Sequence, residues 1–166
     1  MNDIILILND IRSTHNVGSI LRTAECLGIS HVYFCGYTPY PLAPSDSRLP
    51  HISAKLNSQI HKTALGAEKI VKWSTIRDIS ALILDLKSQG FCLAALEQSP
   101  KSVALNTFVA PSKIAVILGN EVTGVDPYLL DDVDTILEIP QFGKKESLNV
   151  TQAAAICLYH LRFSGK

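Results

Sequence analysis

The chain has 166 residues, 47% hydrophobic and 18% charged, with 15 basic against 15 acidic side chains. That is length enough for one domain with a proper core and too little for two, and zero formal net charge excludes indiscriminate polyanion binding while allowing a local basic patch. No apolar run approaches the roughly 18 residues of a membrane helix, and Asn2 and Asp3 stand where a signal peptide is basic. Cys26, Cys35, Cys92 and Cys157 lie far apart in apolar settings, without metal-ligand spacing, so buried free thiols are expected. The expectation is a cytoplasmic protein with no metal, membrane or DNA partner.

Residues 4–8 (IILIL) form a continuous apolar run, the signature of a strand buried on both faces. After a polar loop, Val17, Ile20, Leu21 and Ala24 mark a helix that stops at Gly28, and residues 31–35 (HVYFC) read as a second strand. Strand, helix, strand implies parallel pairing with a right-handed crossover. Residues 36–56 are irregular, broken by Pro39, Pro41, Pro44 and Pro50, and read either as a solvated loop or as an RNA-facing lobe carrying Arg48, His51, Lys55, His61 and Lys62. Residues 62–68 lead toward a strand at 70–73. Thr75 is expected to cap a helix with Ile76, Ile79, Leu82, Ile83 and Leu86 on its apolar side, ended by Gly90.

Strands are expected at 91–96, 114–118 and 135–139, with a tight loop at 119–124 and a short helix opened by Asp126 and Pro127. The last helix is the clearest. Val150, Ala153, Ala154, Cys157, Leu158 and Leu161 fall on one face, and Asn149 with Gln152 makes a plausible N-cap pair. About six strands and four or five helices describe an α/β domain with a mostly parallel sheet flanked by helices.

Common site signatures are missing. There is no G-x-G-x-x-G, G-x-S-x-G or H-E-x-x-H, and Val125 replaces the P-loop lysine after Gly119 and Gly124. Three stretches remain at the carboxyl ends of expected strands or in the helix that follows, where parallel sheets bind ligands. They are 16–22 (NVGSILR), 119–124 (GNEVTG) and 139–150 (IPQFGKKESLNV). A polar loop feeding a helix N-terminus, as in the third, offers free N–H groups to a ligand.

Taken in order, these stretches resemble the SpoU, or TrmH, family of the SPOUT class, RNA ribose 2′-O-methyltransferases that use S-adenosylmethionine. The family pattern of an Asn and an Arg six apart is matched by Asn16 and Arg22. Its G-x-E-x-x-G is matched by Gly119, Glu121 and Gly124, and its I-P with downstream S-L-N-V by Ile139, Pro140, Ser147, Leu148, Asn149 and Val150. The resemblance covers nearly the whole chain.

It implies a SPOUT α/β knot, with a C-terminal trefoil knot that connection rules would not have suggested. It implies one methyltransferase domain over 1–166 without a separate RNA-binding extension, acting on tRNA or, as the other option, rRNA. A homodimer follows, with the first motif's helix and the last helix, including Tyr159, His160 and Phe163, near the interface. For the cofactor it points to Leu118, Gly119, Asn120, Glu121 and Gly124 on one side and Ile139, Gln141, Ser147, Leu148 and Asn149 on the other. Catalytic roles fall to Arg22, Asn16, Glu121, Ser147 and Asn149. Arg22 is expected to clamp the phosphate beside the reacting ribose, since arginine is a poor base. Asn16 would orient it, and Glu121 would hold Arg22 or Asn149. From the helix alone, Arg22 reads equally as a surface residue paired with Glu25, and Asn16 as a plain N-cap. Arg12, Arg48, Lys62, Lys144 and Lys145 are candidate RNA-phosphate contacts. The rival readings are a non-catalytic RNA-binding relative and a flavodoxin-like nucleotide-binding module.

Overall fold

The computed structural model describes residues 2–164. Seven parallel strands form one sheet: β1 (Asp3–Asn9), β2 (His31–Cys35), β3 (Trp73–Ile76), β4 (Cys92–Leu96), β5 (Val103–Ala104), β6 (Lys113–Leu118) and β7 (Thr135–Glu138). Their spatial order is β3-β2-β1-β6-β4-β7-β5. The apolar runs at β1 and β6 lie side by side at its centre, Leu6 opposite Val116 and Leu8 opposite Leu118. Five helices cover it: α1 (Thr14–Cys26), α2 (Pro50–Ala64), α3 (Ile79–Ser88), α4 (Pro127–Asp132) and α5 (Val150–Phe163).

Side-chain alternation along β1 builds two cores. Ile4, Leu6 and Leu8 face the layer of α1, α2 and α5, where Ile20, Leu21, Ile60, Cys157 and Leu158 pack on them. Ile5 and Ile7 face α3 and α4, meeting Leu82, Leu86 and Leu129. Each fully buried Leu or Ile contributes about 1.5–3 kcal/mol, which explains why a chain so rich in Ile and Leu closes both faces of its sheet.

Several expectations are corrected. Residues 36–49 are irregular, but Pro50 opens a helix at N1 rather than breaking one, and α2 runs to Ala64, ending at Leu65 in the left-handed region (φ 52). The third strand therefore begins at Trp73, after a 3₁₀ turn at Ala67–Lys69. Thr75 and Ile76 belong to that strand, and Asp78 caps α3 by accepting the Ala81 N–H at 3.1 Å. The seventh strand, β5, has only two residues and carries no apolar period. Cys35 and Cys157 are buried, burial pushing both thiols up to about 12, but Cys92 is half-buried and Cys26 is exposed.

Candidate active site

Glu121 is the junction of the site. Its Oε2 accepts the Arg12 N–H at 2.9 Å, and its Oε1 accepts the Ser13 N–H at 3.0 Å and the Asn16 amide at 2.8 Å. Burial alone would push its pKa up, but these donors outweigh that and hold it below the ordinary range, so it is a fixed carboxylate at neutral pH. Glu121 thus holds the entry to α1 rather than Arg22 or Asn149. Ser13, not Asn16, is the N-cap of α1.

The loop between β6 and α4 is folded by its own residues. Asn120 and Gly124 exchange backbone hydrogen bonds at 3.0 Å each, and Asn120 Oδ1 accepts the Val122 and Thr123 N–H groups. Asn120 Nδ2 donates to the Asp10 carbonyl at 2.9 Å and the Tyr37 hydroxyl at 2.6 Å. A side chain on Gly119 would start 2.3 Å from Gly124 C and O, so glycine is required there by loop closure.

On the far side, Asn149 caps α5. Its Oδ1 accepts both the Thr151 N–H at 2.8 Å and the Thr151 hydroxyl at 2.6 Å, and among the described residues its NH₂ has no acceptor. Among the described residues the Gln152 side chain takes no part in this cap; its backbone N–H bonds the Asn149 carbonyl.

Between these loops lies a cavity of about 310 Å³ at the carboxyl end of the sheet. Leu118, Gly119, Asn120, Glu121, Gly124, Ile139, Gln141, Ser147, Leu148 and Asn149 all line it. Glu97 and Gln98, at the end of β4, form a wall that motif reading missed. The rule that ligands gather at the carboxyl ends of parallel strands would have found them. Glu97 accepts the Val125 and Gln98 N–H groups at 2.9 and 2.8 Å. The size suits a small organic ligand, apolar walls from Leu118, Leu137, Ile139 and Leu148 suit a planar base, and half-buried carboxylates (Glu97, Glu121, Glu138) and loop amides suit a polar, cationic tail.

Arg22 is not in the cavity wall. It lies exposed on α1, more than one turn beyond Asn16, and among the described residues it has no ion-pair partner, Glu25 included. Of the expected RNA contacts, Arg12, Lys62, Lys144 and Lys145 are exposed. Arg48 is engaged within its own loop, paired with Asp46, donating to the Tyr40 and Pro41 carbonyls and stacked 3.6 Å from the centre of the Tyr40 ring.

An all-parallel sheet with a ligand cavity where three carboxyl-end loops meet defines the class as an α/β ligand-binding domain. The chain belongs to the SpoU rRNA Methylase family, whose model matches residues 3–159. It is 31% identical over 159 residues to the 23S rRNA (guanosine-2′-O-)-methyltransferase RlmB of Neisseria meningitidis serogroup B, covering 96% of this chain and 58% of that one. It is 28% identical over 162 residues to the tRNA (guanosine(18)-2′-O)-methyltransferase of Borreliella burgdorferi, covering 96% and 66%. It thus spans about three fifths to two thirds of those relatives. Its fold is similar to the A. aeolicus TrmH/SpoU tRNA modifying enzyme (TM-score 0.79, 23% identity, 98% of this chain and 75% of that one). It is equally similar to an AdoMet-bound rRNA methyltransferase from Sinorhizobium meliloti (TM-score 0.80, 22% identity, 96% and 56%).

Proposed function

We propose that this chain carries the active site of an S-adenosylmethionine-dependent RNA 2′-O-ribose methyltransferase, with tRNA as the expected substrate and rRNA the other class named among its relatives. The observation that carries the reading is the convergence of residues from two separate motifs, 119–124 and 139–150, on one cavity, with Asn16 of the motif at 16–22 tied to Glu121.

When bound, the cofactor would supply an electrophilic methyl group for in-line transfer to a ribose hydroxyl. Leu118, Ile139 and Leu148 would enclose its base, and loop backbone groups beside Gly119 and Gln141 would hydrogen-bond it. Ser147 and the NH₂ of Asn149 would orient polar groups on the opposite wall. Glu121 keeps Asn16 and the α1 entry fixed against the cavity, so positioning, which can supply a large share of barrier reduction, is built into the fold. Arg22 clamps the phosphate beside the reacting ribose through its guanidinium, leaving the hydroxyl proton to water or a phosphate oxygen. Arg12, Lys62, Lys144 and Lys145 supply further phosphate contacts.

Because Arg22 lies outside the cavity of its own chain, the reading includes a homodimer. Ile156, Tyr159 and Phe163 on α5 are exposed, at 44, 62 and 47%, and would form its apolar centre. His160 is turned inward instead, its Nε2 2.7 Å from the Phe108 carbonyl. The trefoil knot after β7 and the one-domain organisation belong to the same proposal.

The test is incubation with methyl-labelled S-adenosylmethionine and unmodified tRNA or rRNA, followed by digestion to nucleosides. Label in a 2′-O-methylnucleoside, absent with Arg22→Ala, is expected. Label in no RNA while the cofactor binds would favour the non-catalytic relative.

A further inference from the structure

Phe142 is 98% exposed, the most exposed of the large hydrophobic side chains. It follows Gln141, which lines the cavity, and precedes exposed Lys144 and Lys145 by two and three residues. Its loop is held at both ends: Ile139 packs against the core, and Gln98 Nε2 donates to the Glu146 carbonyl at 2.7 Å. In between it stands clear, with no atom within 4 Å of where a Gly143 side chain would begin. A phenylalanine held in water beside two lysines, at the mouth of a cavity, has the composition of a stacking platform. Aromatic rings receive unpaired bases while flanking cations track the phosphates.

We propose that Phe142 stacks on an unpaired base of the RNA at or next to the methylated nucleotide, and so positions the ribose over the cavity. The inference rests on the methyltransferase reading and adds a substrate property: the target lies in a single-stranded segment, because a base inside a duplex has no free face to offer. Stacking tolerates any base, so this residue selects unpaired structure rather than sequence.

The experiment compares the wild-type chain with Phe142→Ala and Phe142→Trp, using a short single-stranded RNA of mixed sequence and the same RNA as a blunt duplex. Removing the ring exposes no core, so Phe142→Ala should melt as wild type does and bind S-adenosylmethionine unchanged. It should lose about tenfold in affinity for the single strand, the worth of one base–aromatic stack, and little for the duplex. Phe142→Trp should restore that affinity. Trp73 is the chain's one native tryptophan, so Phe142→Trp should also show added fluorescence that the single strand quenches and the duplex does not. Unchanged single-strand affinity in Phe142→Ala, with wild type binding both cofactor and RNA, overturns this proposal alone. A shift in oligomeric state in Phe142→Ala without loss of RNA affinity also overturns it, marking the ring as a contact between copies. A wild-type chain that binds neither cofactor nor RNA overturns it together with the reading it rests on.

Discussion

At the scale of single residues, the site separates into groups that hold and groups that are held free. Glu121 holds: three N–H donors converge on one carboxylate. Glu121→Gln should lower stability by roughly 2 kcal/mol, since hydrogen bonds to a charged group are worth about 1.5–3, read as a fall in Tm. Its folded pKa lies below its unfolded value, so this contribution is present above the ordinary glutamate pKa of about 4.3 and is lost as pH falls through the folded value. The Tm difference between wild type and Glu121→Gln should accordingly shrink in acid. Arg22 is the opposite case, exposed and unpaired among the described residues. Arg22→Ala should leave cofactor affinity intact and cut turnover about 100-fold or more, and Arg22→Lys should recover only part, because an ammonium cannot make the bidentate phosphate contact. The partner of Glu121 could not be read from the residues alone: the family resemblance offered Arg22 or Asn149, and only the fold showed that it is Asn16. Arg162 is a sharper case. No sequence pattern marks it, yet it is 5% exposed and donates to the carbonyls of Asn2, Leu27 and Gly28, locking α5 to the carboxyl end of α1.

At the scale of elements, close approach of backbone decides more than helix propensity. A side chain on Gly18 would begin 2.2 Å from the Ile60 carbonyl and the Thr63 hydroxyl, so α1 and α2 cross at a distance only glycine permits. Thr63 adds to the seam by donating to the His15 carbonyl at 2.9 Å. Gly18→Ala should destabilise by about 1–3 kcal/mol, the usual cost of overpacking, measurable as a shifted urea midpoint. Central strands were legible because both faces of β1 and β6 are buried and leave unbroken apolar runs. The region of α2 was not, since of its fifteen residues only Ser53, Ile60 and Ala64 are buried and no apolar stripe exists to be seen. The start of α3 was misplaced for a related reason: Thr75 and Asp78 are both competent caps, and the pairing of Thr75 with Phe34 across β2 and β3, a tertiary fact, settles between them.

At the scale of the whole molecule, the cavity is assembled from the ends of β4, β6 and β7 and the start of α5, segments as far apart as Glu97 and Asn149. Family motifs found two of these walls, and the strand-end rule accounts for the third. Charge works at this scale too. With no net charge to draw RNA, affinity must come from placed cations, so a Lys144→Ala, Lys145→Ala double variant should reduce the slope of log K against log salt by about 1.4–1.8, at about 0.7–0.9 per contact. Tyr159→Asp should dissociate the proposed dimer in sedimentation while leaving the monomer folded.

The central claim is that these separated stretches make one S-adenosylmethionine site whose chemistry is completed by a residue outside it. Calorimetric titration of S-adenosylmethionine into wild type, Gly119→Ala and Arg22→Ala tests this most directly. One molecule bound per chain in wild type and Arg22→Ala, with binding lost in Gly119→Ala, is the predicted result. No binding to wild type, or binding of a flavin or mononucleotide in its place, would contradict the account.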